Sequence, residues 1–128
     1  MRSLLSGIVV TLLFAFGGNV HANQLDGKAL VCVNKYGVTN GLLFANGQVT
    51  VYYVKGYEII EGKSVVYDYD GTSTVKWFYI ENMSPKTFIL DRETLKINYH
   101  GDCELSTEGK IRSILNNIIA KAKKRNKI

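Results

Sequence analysis

The chain has 128 residues, 46% of them hydrophobic, with a formal charge of +5, a single proline and only two cysteines. That length holds one domain. Two histidines and two cysteines exclude a His/Cys metal cluster, and the absence of low-complexity or repeated segments excludes a linker or solenoid.

Met1-Arg2 supplies one positive charge. An apolar run from Leu4 to Phe16 follows, broken by Ser6, Gly7 and Thr11, and Gly17-Gly18 ends it. Val20-His21-Ala22 then sets compact residues at the −3 and −1 positions of a cleavage site, so residues 1–22 are expected to be a secretory signal. The alternative, an uncleaved anchor, needs an apolar stretch of roughly 20 residues, and two glycines weaken the helix where it would have to continue. No cysteine stands near the site to carry a lipid. The expected location is secreted or periplasmic.

Residues 23–106 are expected to form a β domain. Leu30-Val31-Cys32-Val33 and Gly41-Leu42-Leu43-Phe44 read as short strands. After Asn46-Gly47, Val49, Val51 and Tyr53 alternate with Gln48, Thr50 and Tyr52. Asn-Gly between two such runs marks a hairpin, because both turn residues must take positive φ. Strands continue over Tyr57–Ile60, around Val65, Tyr67 and Tyr69, and around Val75, Trp77 and Tyr79, with turns at Lys55-Gly56, Glu61-Gly62 and Asp70-Gly71. A looser loop is expected over Glu81–Lys86 around Pro85. Phe88 and Leu90 begin another strand, Leu95, Ile97 and Tyr99 line the next, and His100-Gly101 turns the chain into Asp102-Cys103-Glu104-Leu105. The fold class is therefore all-β, an antiparallel meander barrel or sandwich of eight or nine strands.

Several strands are apolar on both sides, as where Tyr52 and Val54 oppose Val51 and Tyr53, so something must cover part of the second face. Ile111, Ile114, Leu115, Ile118, Ile119 and Ala122 fall on one helical stripe and supply the cover. Residues 107–125 are thus a C-terminal amphipathic basic α-helix. Ser106 or Thr107 can cap it, with Glu108 at its positive end and Lys121, Lys123, Lys124 and Arg125 at its negative end. Residues 23–109 hold eight basic and eleven acidic side chains, net −3; residues 110–128 hold seven basic and no acidic ones.

Cys32 and Cys103 lie near the two ends of this domain. An even count in an exported chain points to a disulfide, closing a loop of about 70 residues. Nothing in the pattern marks catalysis. After signal removal His100 is the only histidine, in an expected turn where a solvated role is the ordinary one, and no serine sits in a Gly-x-Ser-x-Gly elbow. Asp68-Tyr69-Asp70-Gly71 resembles part of a calcium loop, but that loop needs carboxylates where Val66 and Trp77 stand. No phosphate-binding glycine loop is present. Asn82-Met83-Ser84 is a formal glycosylation sequon followed directly by Pro85, and is read as chance. The chain is read as non-catalytic, with no metal and no cofactor.

Two features carry a binding reading. Tyr52, Tyr53 and Tyr57, with Tyr67, Tyr69, Trp77 and Tyr79, crowd one stretch and form the candidate binding surface, since outward aromatic rings stack on sugars or anchor interfaces. The ordinary alternative is that tyrosine favours half-buried strand positions. Lys121, Lys123, Lys124 and Arg125 are the candidate contact with an anionic membrane surface, against the alternative of a helix packed on the body with a solvated basic face.

The runs Leu25-Asp26-Gly27-Lys28-Ala29-Leu30-Val31-Cys32, Leu90-Asp91-Arg92-Glu93-Thr94-Leu95-Lys96-Ile97 and Gly101-Asp102-Cys103-Glu104 resemble a group of small secreted two-cysteine β proteins of marine bacteria and their phages. The resemblance covers most of the chain after the signal and implies an exported β domain, with no activity assigned. The layout is also similar to lipocalin-type barrels, where a meander precedes a helix, although the Gly-x-Trp signature of that family is missing. Small periplasmic lysozyme inhibitors share the size, the export and the two cysteines, but their Ser-Gly-rich recognition loop is absent. The functional expectation is an exported, non-catalytic small binding protein whose partner is a protein, a glycan or a small apolar ligand. The alternative is an envelope protein held on a membrane surface by the basic helix. Nucleic acid is not expected as a partner of an exported chain.

Overall fold

The computed structural model describes residues 24–126 apart from 70 and 82. The expected signal segment 1–22 and its cleavage site, Asp70 of the calcium-like run and Asn82 of the sequon lie outside the described residues. Nine strands precede one helix: β1 (Ala29–Val33), β2 (Thr39–Ala45), β3 (Gln48–Lys55), β4 (Glu58–Glu61), β5 (Val65–Tyr69), β6 (Thr74–Glu81), β7 (Ser84–Asp91), β8 (Lys96–Ile97), β9 (Gly101–Ser106) and α1 (Glu108–Arg125). Every pairing is antiparallel. Eight strands run in the order β1, β2, β3, β5, β6, β7, β8, β9, and β9 pairs back onto β1. The sheet is therefore a closed meander barrel and not a sandwich. Closure removes the free edges that an open meander would expose.

The ninth strand is an appendage. β3 pairs with β5 only at Gln48 and Val49, and its outer half, Tyr52 to Lys55, pairs with β4. Two-residue turns close both hairpins of β3. Asn46 and Gly47 take φ of 55° and 72°, as Asn-Gly requires, and Gly56 and Tyr57 take 60° and 65°.

The expected loop around Pro85 is instead the end of the longest hairpin. β6 and β7 pair over their full lengths, from Thr74↔Asp91 to Glu81↔Ser84, and Pro85 lies opposite Ile80. Pro85 stands next to the closing pair, where alternation turns the backbone N–H position away from β6. Its missing donor costs no ladder bond, because β8 reaches β7 only at Leu90 and Asp91. The Asn98 side chain extends that pairing: its amide donates to Thr87 O at 2.8 Å, and its carbonyl accepts from Ile89 N at 2.7 Å.

Alternation sorts the side chains into two cores. Inside the barrel lie Leu30, Cys32, Leu42, Phe44, Val75 and Leu90, with Tyr67 and Trp77 edge-on to Phe44 at centroid distances of 5.3 and 5.9 Å. Outside it, Ala29 and Tyr52 with Val31, Leu43, Val54 and Ile59 meet Ile111 and Leu115 of α1. The helix thus covers the second apolar face, as its stripe requires. Each fully buried aliphatic side chain of that stripe contributes roughly 1.5–3 kcal/mol. Thr107 caps α1 by accepting from Lys110 N at 3.1 Å, with Glu108 in the first turn and Lys123, Lys124 and Arg125 in the last. Gly41 makes the docking close: a Cβ there would lie 2.3 Å from Ile111 Cγ2.

The seam between first and last strands is covalent. Cys32 and Cys103 face each other in the β1–β9 register and form a disulfide across a sequence separation of 71. In the chain-entropy account such a loop stabilises by about 4 kcal/mol. Gly101, at φ 91°, starts β9 so close to β1 that a Cβ would meet Val33 O at 2.2 Å.

Candidate functional site

Successive antiparallel strands place their connections alternately at two ends of the barrel. At one end stand residues 24–28, the β2–β3 turn and the β7–β8 connection. At the other stand the turns after β1, β3, β6 and β8. The two ends have opposite chemistry.

The first end is sealed. Residues 24–27 turn across it and bury Leu25 in the interior core. The Asp26 carboxylate accepts from Gly47 N at 3.0 and 3.1 Å and from the Tyr67 hydroxyl at 2.9 Å, while that hydroxyl accepts from Leu25 N at 3.1 Å. Burial first, and then the hydrogen bond to Asp26, pushes the Tyr67 hydroxyl up to about 12. Beside it Arg92 donates to the Tyr69 hydroxyl and lies over that ring, 4.7 Å from its centroid.

The second end opens into a cavity of about 350 Å³. Its walls are Val49 and Val51 of β3, Val65 of β5, Trp77 and Tyr79 of β6 and Phe88 of β7. Val38, Tyr53 and Val54 stand at its mouth, and its polar groups are Asn40, Lys63 and His100 with the tyrosine hydroxyls. The cavity lies where the wall between β5 and β6 stops short. β3 stays paired, passing from β5 to β4 through a bulge at which Gly62 N donates to Val51 O, whereas β5 pairs with β6 only from Tyr69↔Val75 to Tyr67↔Trp77.

His100 is not the solvated turn residue that the sequence suggests. Tyr99 takes φ 69°, which turns the next side chain inward, and His100 is buried, stacked on Phe88 at 4.9 Å and 19°. Its Nδ1 lies 3.2 Å from the Asn40 amide nitrogen. The Asn40 side-chain amide and the imidazole thus form one hydrogen-bonded pair on the cavity wall. Trp77 stacks on the same Phe88 at 5.8 Å and 13°, so Phe88 lies between an indole and an imidazole.

The seven aromatic residues of the candidate binding surface do not share one outer face. Tyr67 and Tyr69 are core residues at the sealed end, and Tyr52 is buried beneath α1. Burial raises the Tyr52 hydroxyl above its ordinary range, with Glu61 and Glu108 adding to the rise. Tyr57 is exposed at the β3–β4 turn, where Asn126 donates to its hydroxyl. Only Tyr53, Trp77 and Tyr79 come together, and they do so around the cavity. The correction follows from period two: in a closed small barrel half the strand positions point to the interior, and the bulky aromatics fill it. What the sequence reading missed is Val51, Val65, Phe88 and His100 as their partners; no local signal marks them, because the cavity depends on where the β5–β6 pairing stops.

Lys121, Lys123, Lys124 and Arg125 are exposed at the end of α1. The apolar stripe of that helix is packed on the barrel, so α1 has no free apolar face for lying in a bilayer. No helix among the described residues is long and apolar enough to cross a membrane. Among the described residues no three His, Cys, Asp or Glu side chains gather as a metal site. Comparison with known proteins finds no matching family model, no matching curated protein and no matching solved structure.

Proposed function

We propose that the protein is an exported, non-catalytic binding protein that takes a small apolar ligand, aromatic in part, into the open end of its barrel. One observation carries the reading: a barrel sealed by a hydrogen-bonded plug at one end holds, at the other, a cavity of about 350 Å³ walled by valine and aromatic side chains. Cavities of roughly 300–1,000 Å³ with apolar walls and a few polar groups are the usual form of a small-molecule site. Asn40, His100 and Lys63 supply that polar minority and suit a ligand with one hydrogen-bonding or anionic group. The Cys32–Cys103 bond supports the exported part of the reading, since such bonds persist in oxidising compartments.

Trp77 is the only tryptophan of the chain and lines the cavity, so it reports on occupancy. Titration with 1-aminoanthracene is expected to quench Trp77 emission saturably at one site. Val51→Phe, which fills the cavity, is expected to weaken the probe by about tenfold or more, in line with a lost apolar pocket. Absence of saturable quenching, or equal binding by Val51→Phe, overturns the reading.

A further inference from the structure

The four turns at the open end share a composition that the sealed end lacks. The β1–β2 turn carries Tyr36, the β3–β4 turn Tyr57, the β6–β7 turn Met83 and the β8–β9 turn Tyr99. All four side chains are exposed, Met83 at 94% and Tyr36 at 78%. A lysine ammonium lies over each of the three tyrosine rings: Lys35 over Tyr36 at 5.2 Å, Lys123 over Tyr57 at 5.9 Å and Lys86 over Tyr99 at 5.1 Å. Connections at the sealed end expose Asn46, Thr72, Glu93 and Thr94 instead, and the one large apolar side chain among them, Leu95, is packed against the interior core. We propose that the open end of the barrel is a docking face for anionic lipid bilayers, with tyrosines and Met83 at the interface and lysines against the headgroups.

Tyrosine is the side chain that concentrates at membrane–water interfaces, with its ring in the apolar boundary and its hydroxyl in the headgroups. A lysine seated over the ring puts its charge at the same depth. Each such lysine raises partition onto an anionic leaflet by roughly fivefold. The helix adds to the same end. α1 begins at the sealed end, after β9, and finishes beside Tyr57, where Lys123 and Asn126 reach it. Its basic last turn therefore joins Lys35 and Lys86 on one side of the molecule. Glu58 and Glu61 of β4 offset this charge in part, as do the acidic positions Glu81 and Asp102 flanking the β6–β7 and β8–β9 turns. Asp102 lies 3.9 Å from Lys96, while Asp26, Asp91 and Glu93 stand at the far end. Charge and apolar side chains thus converge on the end that holds the cavity. The membrane contact is made by turns, and the helix contributes charge alone.

Flotation of the disulfide-bonded protein with phosphatidylcholine vesicles containing about 30 mol% phosphatidylglycerol tests this, at about 0.1 M salt where screening is physiological. Binding is expected to exceed that to pure phosphatidylcholine by about tenfold or more. Tyr36→Ser with Tyr99→Ser is expected to lower it about tenfold, and separately Lys35→Glu with Lys86→Glu about 25-fold or more, at roughly fivefold for each lysine. Lys28→Glu with Lys110→Glu, at the sealed end, is expected to leave it within about twofold. Met83→Trp is expected to add a fluorophore whose emission shifts to the blue with these vesicles. Docking does not require an occupied cavity, so Val51→Phe is expected to bind vesicles like the unmodified protein; this separates failure of the docking face from failure of the ligand site. Equal loss from the sealed-end pair, an unshifted Met83→Trp spectrum, binding to heparin that matches vesicle binding and ignores the tyrosine substitutions, or self-association that Met83→Asp abolishes in the absence of vesicle binding would each overturn it.

Discussion

At the sealed end, Asp26 ties Gly47 of the β2–β3 turn to Tyr67 of β5, and Leu25 fills the space between. At the open end the same β3 and β5 present Val51 and Val65 to a cavity that no chain segment among the described residues crosses. The barrel wall is common to both, so the difference lies in what is done with backbone and polar groups. One end satisfies Gly47 N and the Tyr67 hydroxyl with the Asp26 carboxylate, and Leu25 N with that same hydroxyl. The other ends its β5–β6 pairing at Tyr67↔Trp77 and leaves apolar side chains facing each other across a gap. A fold can thus keep one end as structure and the other as a site without any change of secondary structure.

The largest expected effect asks whether the two ends belong to one cooperative unit. The Cys32–Cys103 bond closes the seam that both ends share. Cys32→Ala with Cys103→Ala is expected to lose about 4 kcal/mol, as the chain-entropy account gives for a loop of this length. Urea denaturation followed by Trp77 emission and by far-ultraviolet dichroism measures it. Coincident transitions at lower urea are expected. Separate transitions for the two probes would show that the open end unfolds on its own.

Alkaline titration isolates the sealed end. Tyr67 is 2% exposed and its hydroxyl is pushed up to about 12 from the ordinary 10.0. The folded state therefore holds the phenol proton more tightly than the unfolded chain does. The stabilisation is complete below pH 10 and is lost as pH rises through 12, amounting at most to about 3 kcal/mol for a shift of this size. Lysines deprotonate in the same window, so the comparison is with Tyr67→Phe. The unmodified protein is expected to lose stability more steeply than Tyr67→Phe between pH 10 and 12, read by urea midpoints at each pH. Parallel curves would place the Tyr67 hydroxyl in an ordinary environment and open the sealed end.

The asymmetry between the ends was only half legible in the sequence. Period two at Val49, Val51 and Tyr53 marks a strand, and Asn46-Gly47 marks its turn, because φ preferences and side-chain alternation are local. The helix stripe from Ile111 to Ala122 is equally local, and the double apolarity of Tyr52 and Val54 correctly demanded a cover. Pro85 misled, since a missing N–H looks like a strand breaker until the neighbouring strand is known to stop short. Which tyrosines face inward depends on closure between β1 and β9, more than 60 residues apart in sequence by the separation of Cys32 and Cys103, 71. The cavity depends on closure too. It arises where β5 stops pairing with β6 beyond Tyr67↔Trp77, and neither Val51 nor Val65 carries a mark of that in its own neighbourhood.

The smallest expected effect is the sharpest comparison of the two ends. Val75 is fully buried, paired with Tyr69 and Leu90 toward the sealed end, and Val51 is half-buried on the cavity wall. Valine to phenylalanine adds the same volume at both places. At Val75 the added ring must displace packed neighbours, and overpacking of this kind costs typically about 1–3 kcal/mol. At Val51 the ring enters the cavity, so no neighbour has to move, and the added apolar contact offsets the loss of rotamer freedom; the change in stability is expected to stay below about 0.5 kcal/mol. Urea midpoints of the two variants measure the difference, and 1-aminoanthracene binding should move in the opposite order, weakened about tenfold or more in Val51→Phe and retained in Val75→Phe. If both variants lose stability equally, the cavity is no roomier than the core, and the distinction between the two ends fails along with the binding site drawn from it.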